Sequence, residues 1–208
     1  MGIDGLFMEF VHGMCVACGG FFTPFLRVIS LLGEKCWIFF LISLLLCLNK
    51  KTRWIGLTAF LAVLIGGIIG SIGLKSIIMR MRPYTANNLY QDYWQLAGAF
   101  PETNYSMPSG HVLGCTAFFV SLYITSKKDI RPIISTIGII SVILMAISRM
   151  YFMHHYFTDC VVGAIIGAIV SFIAKQIVRF IHKVVKENEN IGLFRFILNF
   201  DLFNRRHD

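Results

Sequence analysis

Charge is what this sequence has least of. Only 14% of its 208 residues are Asp, Glu, Lys or Arg, where a soluble domain carries about a quarter. Hydrophobic residues make up 56%, and the mean hydropathy is +0.70. An ordinary water-soluble globule is excluded. Proline is scarce too, with 5 residues, so the long apolar blocks are seldom interrupted. Basic residues are missing from the N-terminal stretch, where Arg27 is the first Lys or Arg. No basic n-region of a secretory signal stands there, and insertion is expected to rely on the spans themselves. Metal-ligand spacing is lacking as well. Cys15-x-x-Cys18 has no second Cys or His pair to complete it. Cys36, Cys47, Cys115 and Cys160 lie in or beside apolar blocks, where Cys acts as a small hydrophobe. Neither a metal nor a cofactor is expected.

The charge that is present is clustered. The net +8 gathers at Lys50, Lys51 and Arg53, at Lys127, Lys128 and Arg131, and in the tail from Lys175 to Arg206. None of these is a basic stretch interleaved with aromatics beside a soluble fold, so nucleic acid is not an expected partner. Short basic loops between apolar spans report topology instead.

The apolar blocks set the fold class: an all-α, polytopic transmembrane helix bundle of five to six spans, with N-terminal interfacial helices. Ile3, Leu6, Phe7, Phe10, Val11 and Met14 share one face of an amphipathic helix suited to the interface. Gly19-Gly20 breaks it, and a short helix at 21–32 carries Pro24 and Arg27. Spans are expected at about 33–49, 54–80, 109–126, 132–149 and 158–183, and a further interfacial helix at 191–203. The chain reads as one domain: interfacial helices at 1–32, a transmembrane core at 33–183 and a cytoplasmic tail at 184–208. Basic loops 49–53 and 127–131 are expected in the cytoplasm, and loops 81–108 and 150–157 outside. Five spans put the N-terminus outside; six put it inside. Gly66-x-x-x-Gly70 and Gly163-x-x-x-Gly167 predict close helix packing.

Ionisable residues within apolar spans are costly, which makes them candidates for function. Here they fall at one membrane level. Lys75 and Arg82, seven residues apart, are expected on one helical face, with Pro83 ending the helix. Pro108-Ser109-Gly110-His111 opens one span, Ser148-Arg149 closes the next, and His155 and Asp159 lead into the last, four residues apart. Cations, a helix N-terminus and two histidines together predict an anion site suited to phosphate.

The pattern Lys75-x6-Arg82-Pro83, Pro108-Ser109-Gly110-His111, Ser148-Arg149-x5-His155-x3-Asp159 resembles the three-part signature of the type 2 phosphatidic acid phosphatase superfamily at every signature position. The signature covers about 75–159, and the span pattern extends the likeness to most of the chain. The resemblance implies an integral membrane lipid phosphatase in the cell membrane, with its site facing outside. Its implied partners are membrane lipids and a lipid phosphate or diphosphate substrate: undecaprenyl diphosphate, phosphatidic acid or phosphatidylglycerophosphate. Family members acting on undecaprenyl diphosphate often carry Asp where this chain has Gly110. The resemblance further implies that His155 is the nucleophile, Asp159 its orienter and His111 the acid and then the base. Lys75, Arg82, Arg149, Ser109 and Gly110 would cradle the phosphate. A lipid phosphotransferase and a non-enzymatic lipid-phosphate carrier are the alternatives. The carrier needs cations but no nucleophile–orienter pair.

Other residues read as ordinary. Arg80 lies off the signature and is expected to snorkel to the interface. His154 has no carboxylate one turn away, unlike His155. His12, His182 and His207 have no evident partners. Tyr84, Tyr90, Tyr93 and Trp94 are expected at headgroup level, with a lipid gate as the other reading.

Overall fold

Long apolar blocks with few prolines leave the backbone no means of satisfying its polar groups in lipid except helix. Helix is what the computed structural model contains; it describes residues 2–202. Helix α1 (Ile3–Ala17) buries Met8, Val11 and Cys15 and exposes Ile3, Leu6 and Phe10. Of the face expected to be apolar, Val11 is buried while Ile3, Leu6 and Phe10 are exposed. Gly19 and Gly20 then turn the chain with φ of 52° and 73°, a region open to glycine.

Helix α2 (Thr23–Gly33) takes Pro24 into its first turn, where no N–H is missed. A left-handed break at Lys35 and Cys36 separates it from α3 (Trp37–Cys47). Together Thr23–Cys47 form a run of 25 residues, long and apolar enough to cross a membrane. The sequence reading divides this stretch differently, giving 21–32 to the interface and 33–49 to a span. Arg27 and Pro24 suggest a weak span, but Arg27 turns to the carbonyl of Gly98 at 2.6 Å and leaves the rest of the face apolar.

Helix α4 (Arg53–Gly67) passes into a π-helical stretch, Ile68–Leu74, and then α5 (Lys75–Ile78). The helix stops at Met79, at φ 48°. Arg82 therefore lies on extended chain ahead of α6 (Pro83–Ala86), not two turns along the helix that carries Lys75. Helix α7 (Asn88–Leu96) follows, then a loop to α8 (Gly110–Thr125), α9 (Arg131–Tyr151), α10 (Phe157–Glu187) and α11 (Gly192–Asn199).

Among the described residues, four runs can cross a membrane by length and composition: Thr23–Cys47, Arg53–Ala86, Lys128–Tyr151 and Phe157–Glu187. Helix α8 is shorter and central. Its Val112, Leu113, Cys115, Ala117 and Phe118 are buried among α4, α9 and α10. Two glycine pairs make that packing possible. A methyl group at Gly163 would come 2.7 Å from the Ser109 carbonyl oxygen, and one at Gly167 2.5 Å from that of Leu113. Gly66 and Gly70 face the Leu113 side chain in the same way. The outer faces stay apolar: α9 exposes Ile133, Ile137 and Ile140 at helical spacing, a surface suited to lipid and not to water.

At one end of the bundle lie the basic loops. There the Arg53 guanidinium donates to the carbonyls of Ile197 and Phe200, and the Leu202 N–H donates to the Leu48 carbonyl at 3.1 Å. The tail helix is thus tied to loop 49–53. His182 there stacks on Trp54, with ring centroids 4.3 Å apart, so it has a partner after all. Phe203, Arg206 and His207 lie outside the described residues.

Candidate active site

At the other end, helix ends from several elements meet. Lys75 opens α5 and is buried; its Nζ donates to Asn104 Oδ1 at 3.3 Å. Arg82 reaches the same asparagine. Its Nε donates to the Asn104 carbonyl at 2.7 Å and its Nη2 to the side-chain oxygen, while Nη1 donates to the His154 carbonyl at 2.8 Å. Two cations expected to meet along a helix meet through a loop asparagine instead. Arg149, in the last turn of α9, donates from Nη1 to Ser30 Oγ at 2.5 Å. Arg82 and Arg149 are each only 2% exposed.

A carboxylate lies between the two arginines. Glu102 Oε2 is 2.5 Å from Arg82 Nη2, and Oε1 pairs with Arg149 Nη2. Tyr84 holds its backbone on both sides: the hydroxyl donates to the Glu102 carbonyl at 2.8 Å and accepts from the Glu102 N–H at 2.9 Å. Tyr84 in turn stacks on Trp94, 4.9 Å between centroids. These two aromatics support the loop that carries Glu102. Tyr93 likewise stacks on His12 at 3.3 Å and donates to Glu9 at 3.1 Å. Burial alone would raise the Glu102 carboxyl; Arg149 and Arg82 outweigh it and hold the group at about 2.

The histidines divide clearly. His154 Nε2 donates to the Phe100 carbonyl at 2.7 Å, so that nitrogen is committed to backbone. Burial first, then Arg149, hold its imidazole at about 4. His155 has neither nitrogen so committed. Its Nδ1 stands 3.7 Å from Asp159 Oδ2 and its Nε2 3.5 Å from Arg82 Nη1. Burial, then Arg82, Arg149 and Lys75, hold this ring well below the ordinary histidine value, so it is neutral at pH 7. Ser109 precedes α8 without a side-chain cap bond, and its N–H donates to the Asp159 carbonyl at 3.0 Å, fastening α8 to the start of α10.

Gly110, His111, Lys75, Arg149 and His155 all border one cavity of about 860 Å³. Its lining also includes the apolar side chains of Leu31, Phe40, Val63, Leu64, Ile68 and Ile72. The break at Lys35–Cys36 and the π-helical stretch, where two helices depart from regular form, both border it.

The structure thus brings together every residue that the sequence singles out. Sequence reasoning misses Glu102, Asn104 and Ser30, which are polar residues in loop or helix with no periodic signal. It also misreads Arg80. That side chain does not snorkel: Nη1 lies 2.5 Å from Asp159 Oδ1 and Nη2 2.7 Å from Asp4 Oδ2.

A helical bundle with apolar outer faces, and with buried arginines, a lysine and histidines gathered at one end, defines an integral membrane protein. The chain belongs to the PAP2 superfamily, whose family model matches residues 52–183. It is 33% identical over 145 residues to an undecaprenyl-diphosphatase of Sulfolobus acidocaldarius, a match covering 69% of this chain and 64% of that protein. In fold it resembles Aquifex aeolicus LpxE, with a TM-score of 0.66 and 24% identity, covering 85% of this chain and 99% of that one. It also resembles the transmembrane PAP2-type phosphatidylglycerolphosphate phosphatase from Bacillus subtilis, with a TM-score of 0.61 and 20% identity, covering 84% and 93%.

Proposed function

We propose that the protein is a metal-independent lipid phosphatase that hydrolyses a lipid phosphomonoester or diphosphate through a phospho-histidine on His155, at the outer face of the cell membrane. One observation carries the reading: a neutral His155 turns Nε2 toward Arg82 and Nδ1 toward Asp159. A nucleophilic imidazole needs a free lone pair beside cations that gather the phosphate, and a carboxylate behind it.

In the first step the His155 Nε2 lone pair attacks phosphorus and the bond to the leaving oxygen breaks. Protonated His111 gives its proton to that oxygen. In the second, neutral His111 takes a proton from water, the resulting hydroxide attacks phosphorus, and the P–N bond breaks. Orthophosphate leaves and His111 is protonated again. Lys75, Arg82 and Arg149 neutralise the non-bridging oxygens, with Ser109 and the Gly110 N–H completing the cradle. Phosphoryl transfer asks mainly for such positioning and charge neutralisation. The Glu102 carboxylate, set between Arg82 and Arg149, fills the seat until a phosphate displaces it.

The apolar part of the cavity lining suits an acyl or prenyl chain. The Sulfolobus relative's name favours a polyprenyl diphosphate; phosphatidic acid and phosphatidylglycerophosphate share the same headgroup chemistry. Basic loops at the opposite end favour an outward site. We read the chain as one membrane unit whose core starts at Thr23 and whose tail after 183 is cytoplasmic.

Phosphate release from a panel of lipid monophosphates and diphosphates tests the proposal. Release is expected in excess chelator and should be inhibited by vanadate. No release from any lipid, or loss in EDTA restored by Mg²⁺, would overturn it.

A further inference from the structure

Arg80 and Asp4 belong to no part of the family signature, yet they converge on the back of the His155–Asp159 pair. We propose that Arg80, pinned by Asp4 from α1, is a positioning residue that fixes the Asp159 carboxylate toward His155, making the N-terminal interfacial helix part of the working site. This rests on His155 and Asp159 acting as proposed above.

Asp159 is fully enclosed, and both its oxygens are assigned. Oδ2 accepts from the Tyr156 N–H at 2.9 Å and faces His155 Nδ1. Oδ1 accepts from Arg80 Nη1 at 2.5 Å. Among the described residues Arg80 is the one Lys or Arg within ion-pair distance of Asp159. An enclosed carboxylate keeps its charge only when it is paired and hydrogen-bonded. Arg80 supplies the charge and Tyr156 N–H the second anchor, so the carboxylate cannot turn.

Arg80 is itself held on every side. Nη1 also donates to Thr158 Oγ1 at 2.7 Å, and the guanidinium lies 3.9 Å over the Tyr156 ring. Asp4 completes the clamp. Its Oδ2 accepts from Arg80 at 2.7 Å and from Thr158 Oγ1 at 2.9 Å, and its Oδ1 accepts from the Thr158 N–H at 2.9 Å. Asp4 thus caps the first turn of α10 from a distant part of the chain, satisfying an N–H that the helix cannot. Burial would raise the Asp4 carboxyl, but Arg80 and Thr158 hold it below the usual range. Helix α1 is fixed in that place by Phe7, stacked on Phe157 with centroids 3.9 Å apart. Arg80 borders none of the cavity, so its effect must pass through Asp159.

The test compares wild type, Arg80→Ala, Arg80→Lys, Asp4→Asn and His155→Ala, each checked for thermal unfolding in detergent. Arg80→Ala should lower kcat by about 10–100-fold, the scale for partners one shell behind a working histidine, with KM little changed. Arg80→Lys should recover part of the loss, and Asp4→Asn should lose less than Arg80→Ala. A second readout needs no turnover. In ¹⁵N-histidine-labelled protein, the His155 signal (the one missing in His155→Ala) should show the Nδ1–H tautomer, and Arg80→Ala should mix the tautomers. An unchanged tautomer in a folded Arg80→Ala variant would overturn the inference, as would wild-type kcat. A tautomer shift in Arg80→Ala, with the wild type releasing no phosphate, would sustain the inference and sink the phosphatase reading alone.

Discussion

At the scale of single residues, the proposed mechanism sets one internal carboxylate, Glu102, against the incoming phosphate. Glu102 is partly exposed and sits on a loop, so its ion pairs with Arg82 and Arg149 can open. Glu102→Gln removes the competing charge and leaves the arginines in place. KM and the vanadate inhibition constant should each fall by about two- to fivefold, the worth of a partly exposed ion pair. The same variant carries a pH signature. Glu102 sits at about 2 in the fold, below its usual 4.5. A carboxyl lowered on folding adds stability above its unfolded value and loses it as pH falls toward the folded one. Wild-type melting temperature should therefore drop between about pH 4.5 and about 2 more steeply than that of Glu102→Gln. The signature residues were legible in the sequence because cations and histidines inside apolar spans have few bland explanations. Glu102, Asn104 and Asp4 were not, since a polar residue in a loop or on an interfacial helix needs no special reason to be there.

At the scale of elements, the contact of α8 with α10 decides whether the signature halves meet, because it joins Ser109 to Asp159. Gly167→Ala places a methyl 2.5 Å from the Leu113 carbonyl oxygen, a backbone atom that cannot swing away. Overpacking of this kind costs about 1–3 kcal/mol. Melting temperature in detergent should fall clearly for Gly167→Ala and stay near wild type for Gly67→Ala, where a methyl meets nothing within 4 Å. Small residues spaced by four made this contact legible. The breaks at Lys35–Cys36 and Met79 were not, because left-handed turns at non-glycine residues carry no composition signal. The second of these breaks is why Arg82 reaches the site from extended chain and not along a helix.

At the scale of the whole molecule, the bundle has a basic end and an end where the signature residues meet. Single cysteines at Lys51 and Asp129 should resist an impermeant thiol reagent in intact cells, in a background without native cysteines. One at Asn88, on the exposed start of α7, should react. The reverse pattern would place the site inside. The fold class was legible from hydropathy alone. Thr23–Cys47 is one long apolar run by composition and two helices by backbone, broken at Lys35–Cys36, and that break was not legible.

The central claim is a phosphate carried on one histidine, and the most direct measurement is to trap it. Protein mixed with a radioactive lipid phosphate and quenched should hold acid-labile, base-stable label, mapped by peptide to His155. His155→Ala should abolish label and turnover. His111→Ala should cut turnover by about 10²–10⁴-fold, the range of general acid–base residues, while His154→Ala keeps most of it. Label on His154, or turnover by His155→Ala with no covalent label, would contradict the account.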